Sequence, residues 1–187
     1  MAVNKTMINT FLTKQRGNAL QVVDNQFAAQ VNAEVENILN DKESKLYKAL
    51  NAVAVAISVY HNAYEDISDG LKVYREDSSF RFCSAWITKD SYSSNEELMS
   101  ILARTYYENT NGYVIKSNAR YKMRGEVNAQ YDNVEQNVKR LKAPKAVEYL
   151  AELGFDVSDL NEEKTENFLA VPVEVKYLLI NQGSSAV

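Results

Sequence analysis

The sequence predicts an α+β protein that is mainly α-helical, with long N-terminal helices, a small antiparallel sheet, and amphipathic helices through its C-terminal two thirds. Three observations point there. Apolar residues recur at spacings of three and four as far as Tyr64, the period changes to two after Gly70, and only two prolines and six glycines punctuate 187 residues.

The first 40 residues read as helix. Met7, Ile8, Phe11 and Leu12 give one face, continued by Leu20, Val23, Phe27, Val31, Val35 and Ile38, with a break or kink expected at Gly17. Asn40 followed by Glu43 has the form of a capping box. Leu46, Leu50, Val53, Ile57, Tyr60 and Tyr64 then alternate by four and three, a heptad seam. Val55 and Val59 add a second apolar flank. This helix is therefore expected at the centre of the core, antiparallel on the helix before it.

After Gly70, LKVYRE and FRFCSAWIT alternate around EDSS and predict a β-hairpin, with Phe80, Phe82 and Trp86 on one side. Ser94 and Glu97 open a capped helix whose face is Leu98, Ile101, Leu102 and Tyr106. Asn111 and Gly112 end it, and YVI reads as a short strand. Residues 118–145, NARYKMRGEVNAQYDNVEQNVKRLKAPK, form a helix despite Gly125, because Val127, Tyr131, Val134, Val138 and Leu141 keep helical register. Pro144 ends or restarts it, and KAVEYLAEL is a short helix stopped by Gly154. The polar segment DVSDLNEEKTENF leads to VPVEVKYLLINQ, where Val173, Val175, Tyr177 and Leu179 alternate with Glu174 and Lys176 as in a strand. Pro172 could equally open a helix.

No repeat, low-complexity tract or linker divides the chain. Residues 1–187 read as a single domain, with a helical arm or hairpin over 1–66 and a mixed α/β part over 67–187. A hydrophobic fraction of 45% and a charged fraction of 25% are those of a globular protein and argue against global disorder. Asparagine makes up about a tenth of the chain and there are twelve tyrosines, residues that supply adaptable surface hydrogen bonding.

The N-terminus lacks the pattern of a signal peptide. The most apolar run, AVAVAISVY, falls short of the roughly 20 residues that span a bilayer. A soluble, cytoplasmic protein without membrane contact is expected. Cys83 is the only cysteine, so no intramolecular disulfide forms. Within FRFCSAW it reads as a small apolar strand residue.

Chemistry-bearing motifs are scarce. His61, the only histidine, forms an i, i+4, i+8 row with Glu65 and Asp69 that suits a solvated helix end better than a metal site. EDISDGLKVYRE fails as a calcium loop, because Ile67 takes a ligand position and Lys72 the place of an apolar residue. GxGxxG, P-loop, HExxH and GxSxG patterns are lacking. No catalytic residue, metal or cofactor is assigned, and the expectation is a protein that is not an enzyme.

Charge is the feature that stands out. The chain carries −4 overall, yet eight basic groups meet only Glu126, Asp132 and Glu135 in residues 116–145. Residues 146–187 reverse this, with eight acids against Lys164 and Lys176. The acidic candidates for a partner surface are Glu148, Glu152, Asp156, Asp159, Glu162, Glu163 and Glu166. The alternative is nucleic-acid binding through Arg120, Lys122, Arg124, Lys139, Arg140, Lys142 and Lys145. At roughly 100° per residue these bases scatter around the helix, and several sit in its last turn, where the dipole favours them anyway.

The leading expectation is a protein-interaction protein, a regulator or inhibitor of the kind small mobile genetic elements encode, using the acidic region against a basic, nucleic-acid-binding partner. A structural subunit of a larger assembly, with homo-oligomers formed through the heptads, is the other expectation of that class.

Overall fold

The computed structural model describes residues 3–71 and 79–161. In chain order the elements are α1 (Lys5–Asn40), α2 (Lys45–Leu71), β1 (Phe80–Phe82), β2 (Ala85–Ile87), a 3-10 turn (Lys89–Ser91), α3 (Asn95–Glu108), α4 (Asn111–Arg140), α5 (Ala143–Glu152) and the single-turn α6 (Ser158–Asn161). The fold is mainly helical, with one two-stranded antiparallel sheet among the described residues. The strand expected in VPVEVKYLLINQ lies outside them, as does most of LKVYRE.

Local chemistry explains most boundaries. Asn4 opens α1 by accepting the Met7 N–H on its side-chain oxygen at 3.0 Å. Gly17 does not break it. Adding a Cβ there would meet nothing within 4 Å, and the buried Phe11, Leu12, Gln15 and Ala19 on either side hold the helix straight through. Packing outweighs a propensity cost of about 1 kcal/mol.

α2 is capped by Ser44, whose Oγ accepts the Tyr47 N–H at 3.0 Å, and not by Asn40. α3 starts as expected: Ser94 accepts the Glu97 N–H at 3.1 Å, while the Glu97 carboxylate accepts from Ser93. YVI is helical, because Thr110 accepts the Tyr113 N–H at 3.3 Å and starts α4 at Asn111. Pro144 sits in the first turn of α5, and Gly154, at φ 83°, closes it. There the Phe155 N–H reaches back to the Leu150 carbonyl at 3.0 Å, which turns Phe155 into the core.

The hairpin is smaller than the alternation suggests. FRFCSAWIT folds back on itself, pairing Phe80 with Ile87, Arg81 with Trp86 and Phe82 with Ala85. Trp86 therefore lies on the face opposite Phe80 and Phe82, under the Arg81 guanidinium at 5.6 Å, and is 63% exposed. Cys83 occupies the exposed tight turn at φ 50° and is not a buried strand residue.

Contacts divide the chain into two compact units, residues 1–27 with 118–187, and residues 28–117. In the first, Ile8, Phe11, Leu12, Ala19 and Val23 of α1 pack with Val127, Tyr131 and Val138 of α4, Ala146 and Leu150 of α5, Phe155 and Leu160. Phe155 stands edge-on to both Phe11 and Tyr131, with centroids 6.1 and 6.0 Å away.

In the second, Val31, Val35, Leu50, Ala54, Ile57, Ile87, Leu98, Met99, Leu102, Ala103 and Tyr107 are buried. α2 packs most closely on α3, not on the helix before it. Its buried seam is Leu50, Ala54, Ile57 and His61; Val55 and Val59 are 50% and 62% exposed, so they form no second buried flank. Tyr107 takes the core position expected for Tyr106.

Candidate interaction surfaces

The basic stretch of α4 is held by carboxylates of α1. In one unit Lys116 Nζ lies 2.8 Å from Glu34 Oε1. In the other, Arg120 Nε donates to Asp24 Oδ1 at 2.8 Å, and Arg124 donates to Asp24 Oδ2. Farther along, Arg16 of α1 reaches Asp132 and Glu135 at 2.7 and 3.0 Å, and Lys5 Nζ caps the Lys139 carbonyl at 2.8 Å near the end of α4. Within the first unit, Asp24 and Arg16 of α1 thus meet opposite charges of α4 in antiparallel order.

Burial of the Asp24 carboxyl works to raise its pKa, but the hydrogen bonds and charges of Arg120 and Arg124 outweigh that and hold it below 3.8. The Glu34 bond raises Lys116, against a smaller opposing effect of burial.

Of the seven basic candidates, Arg120 and Arg124 are thus engaged internally. Lys122 is exposed and stands 3.9 Å from Glu126. Lys139, Arg140, Lys142 and Lys145 are exposed around the α4–α5 junction and make no ion pair among the described residues.

The acidic candidates divide differently. Glu148 and Glu152 are exposed, one turn apart on α5, whose opposite face buries Ala146 and Leu150. They too make no ion pair among the described residues. Asp156 is occupied locally: its Oδ1 accepts the Ser158 hydroxyl at 2.6 Å and the Ser158 N–H at 3.0 Å, which lowers its pKa and caps α6. The side chain of Asp159, together with Glu162, Glu163 and Glu166, lies outside the described residues.

His61 is interior. Its Nδ1 is 2.8 Å from the Tyr92 hydroxyl and its ring stacks on that of Tyr92, so it is a core residue of the second unit and not part of a solvated row. The side chains of Glu65 and Asp69 lie outside the described residues. No cluster of three metal-ligating side chains occurs among the described residues. An open apolar depression of about 300 Å³ is lined by Thr6, Met7, Thr10, Phe11, Lys14 and Leu160. Among the described residues no helix is long and apolar enough to cross a membrane.

The surface that sequence reasoning misplaced is on α2, where Ala52, Val55, Ala56, Val59 and Ala63 are all exposed. The sequence carries the signal, since α2 is apolar around most of its circumference, but periodicity alone does not tell a buried apolar face from an exposed one. No protein-family model, curated protein or solved structure matches the chain.

Proposed function

We propose that the chain is a non-enzymatic protein-interaction protein that presents the acidic surface of α5 to a basic partner, such as the phosphate-binding face of a nucleic-acid-binding protein. One observation carries the reading. The central basic groups of α4 are neutralised by α1, whereas Glu148 and Glu152 project from a packed helix and make no ion pair among the described residues. Exposed carboxylates that are not tied up in ion pairs steer a cationic partner and set its orientation.

The test compares Glu148→Lys with Glu152→Lys against Glu36→Lys with Glu96→Lys, a control of the same net charge at exposed acids elsewhere. Partners captured from a lysate by the tagged chain are quantified at low and high salt. Capture that is salt-sensitive, abolished by the α5 pair and retained by the control supports the surface. Equal loss from both pairs reduces it to net charge, and undiminished capture removes it.

A second reading has its own observation, the exposed bases Lys139, Arg140, Lys142 and Lys145 at the α4–α5 junction. Such a cluster can contact phosphates, with an affinity that falls steeply with salt. Mobility shift of DNA and RNA by the intact chain, weakened by Lys139→Glu with Arg140→Glu, distinguishes it.

A further inference from the structure

We propose that the exposed face of α2 is a homodimer interface, on which the same helix of a second copy lies antiparallel about a two-fold axis. The inference is independent of the acidic α5 surface. Three features of α2 carry it.

The first is an apolar face in water. Ala52, Val55, Ala56, Val59 and Ala63 recur at helical spacing on the exposed side of the helix, opposite the buried Leu50, Ala54, Ile57 and His61. A helix that is apolar on both sides is stable when both sides are covered. Three alanines in the stripe let a second helix approach closely, and the two valines supply the area.

The second is the distribution of charge. Within α2 the only lysines are Lys45 and Lys48, in the first turn, and the only acids are Glu65, Asp66 and Asp69, near the end. Between them the helix carries no Asp, Glu, Lys or Arg. This order opposes the helix dipole, which favours acids at the N-terminus and bases at the C-terminus, so the helix's own stability does not account for it.

The third is that an antiparallel copy accounts for the order. Lys48 and Asp66 are about five helical turns apart along α2, with the apolar stripe midway between the basic and acidic ends. A two-fold axis midway between them sets the basic end of each helix against the acidic end of the other and opposes the two dipoles. A parallel pair would bring like charges together at both ends. Lys48 also meets Glu43 at 2.7 Å, a contact between side chains that are 60% and 90% exposed, which the partner's carboxylates can share. The stripe from Ala52 to Ala63 is only about 17 Å long, at the small end of stable interfaces, so the dimer is in concentration-dependent equilibrium with monomer.

Sedimentation velocity of the full chain over a concentration series tests this. The expected result is a monomer–dimer equilibrium that high salt weakens. Val55→Glu with Val59→Glu raises the dissociation constant at least about tenfold, with unchanged far-UV circular dichroism and, at concentrations where the wild-type chain is monomeric, unchanged Tm. Lys45→Glu with Lys48→Glu also weakens the homodimer, and mixing that variant with Glu65→Lys, Asp66→Lys, Asp69→Lys restores association.

Orientation is read in a Cys83→Ser background. Ala56→Cys cross-links two copies on oxidation, while Lys45→Cys, about 36 Å from its equivalent in the antiparallel pair, does not. A chain that is monomeric throughout overturns the proposal, as does a dimer indifferent to Val55→Glu with Val59→Glu. A monomer whose Tm falls with those substitutions overturns it too, by showing the face covered within the chain. Cross-linking through Lys45→Cys overturns the antiparallel order.

Discussion

Asp24 accepts the Nε–H of Arg120 at 2.8 Å, and the same carboxylate holds Arg124 one turn farther along α4. One acid thereby fixes two of the bases that the sequence offers to a nucleic acid. Asp24→Asn removes the carboxylate charge that the two arginines share. The expected loss is about 1–2 kcal/mol of unfolding free energy, read by urea denaturation, with the hydrogen bonds to charged groups contributing more than the exposed Coulomb attraction. A loss below the precision of the measurement would show the pair to be ornamental.

The same site gives an acid limb to stability. Because the folded pKa of Asp24 lies below its ordinary 3.8, the folded state binds the proton less tightly than the unfolded chain. The stabilisation is complete above about 3.8 and disappears as pH falls through the folded value. The difference in stability between the wild-type chain and Asp24→Asn should therefore shrink on acidification below pH 4 and hold constant between about pH 5 and 8.

Much of the fold was legible because it follows from local rules. The caps at Ser94 and Gly154, the restart at Pro144 and the α4 register through Tyr131 and Val138 are where the pattern put them. The failures have a common cause, since a periodicity gives a face but not the object that covers it. Val55 and Val59 continue the apolar pattern of α2 as well as Ala54 and Ile57 do, yet only the latter are buried. The same gap hid the clamp at Asp24, because charges 96 and 100 residues apart are paired by tertiary register and not by spacing. FRFCSAWIT is extended on both sides of a turn that its alternation does not show, because Cys83 and Ser84 carry no Gly or Asn to mark it, and Trp86 therefore falls on the opposite face from Phe80 and Phe82.

Tyr131 is buried in the first core, and its hydroxyl has no hydrogen-bond partner among the described residues. A desolvated, unsatisfied hydroxyl costs stability, so Tyr131→Phe should be neutral or stabilising by up to about 1 kcal/mol while keeping the edge-on contact with Phe155. Burial raises the phenol's pKa, against a smaller lowering by Arg16, so the folded state retains the proton more tightly than the unfolded chain. That contribution is present below pH 10 and is lost as pH rises above it. Alkaline titration of Tm should show a shallower decline for Tyr131→Phe; an identical decline would place the titration in other tyrosines.

Two glycines within or beside helices should respond in opposite directions. Gly17 lies in the exposed interior of α1 with room for a methyl group, so Gly17→Ala should raise stability by about 1 kcal/mol. Gly154 closes α5 at φ 83°, where a Cβ is strained, so Gly154→Ala should lower it by about 1 kcal/mol and loosen Phe155. Paired thermal melts decide both. A destabilising Gly17→Ala would mean that α1 bends at that residue in solution.

Cys83 is exposed in the hairpin turn at φ 50°, a conformation that costs a non-glycine residue about 1 kcal/mol. Two measurements follow from that one geometry. Native protein should react with a thiol reagent at a rate close to that of the unfolded chain, because no packing shields the sulfur. Cys83→Gly should stabilise the turn by about 0.5–1 kcal/mol, since glycine adopts the left-handed conformation without strain and that relief exceeds its extra chain entropy at this site. Slow labelling combined with a destabilising glycine would place the sulfur inside a longer strand, the arrangement that the alternation of FRFCSAW suggests on its own. Fast labelling with a stabilising glycine would fix the turn at Cys83 and Ser84, and with it the register that sets Trp86 under Arg81.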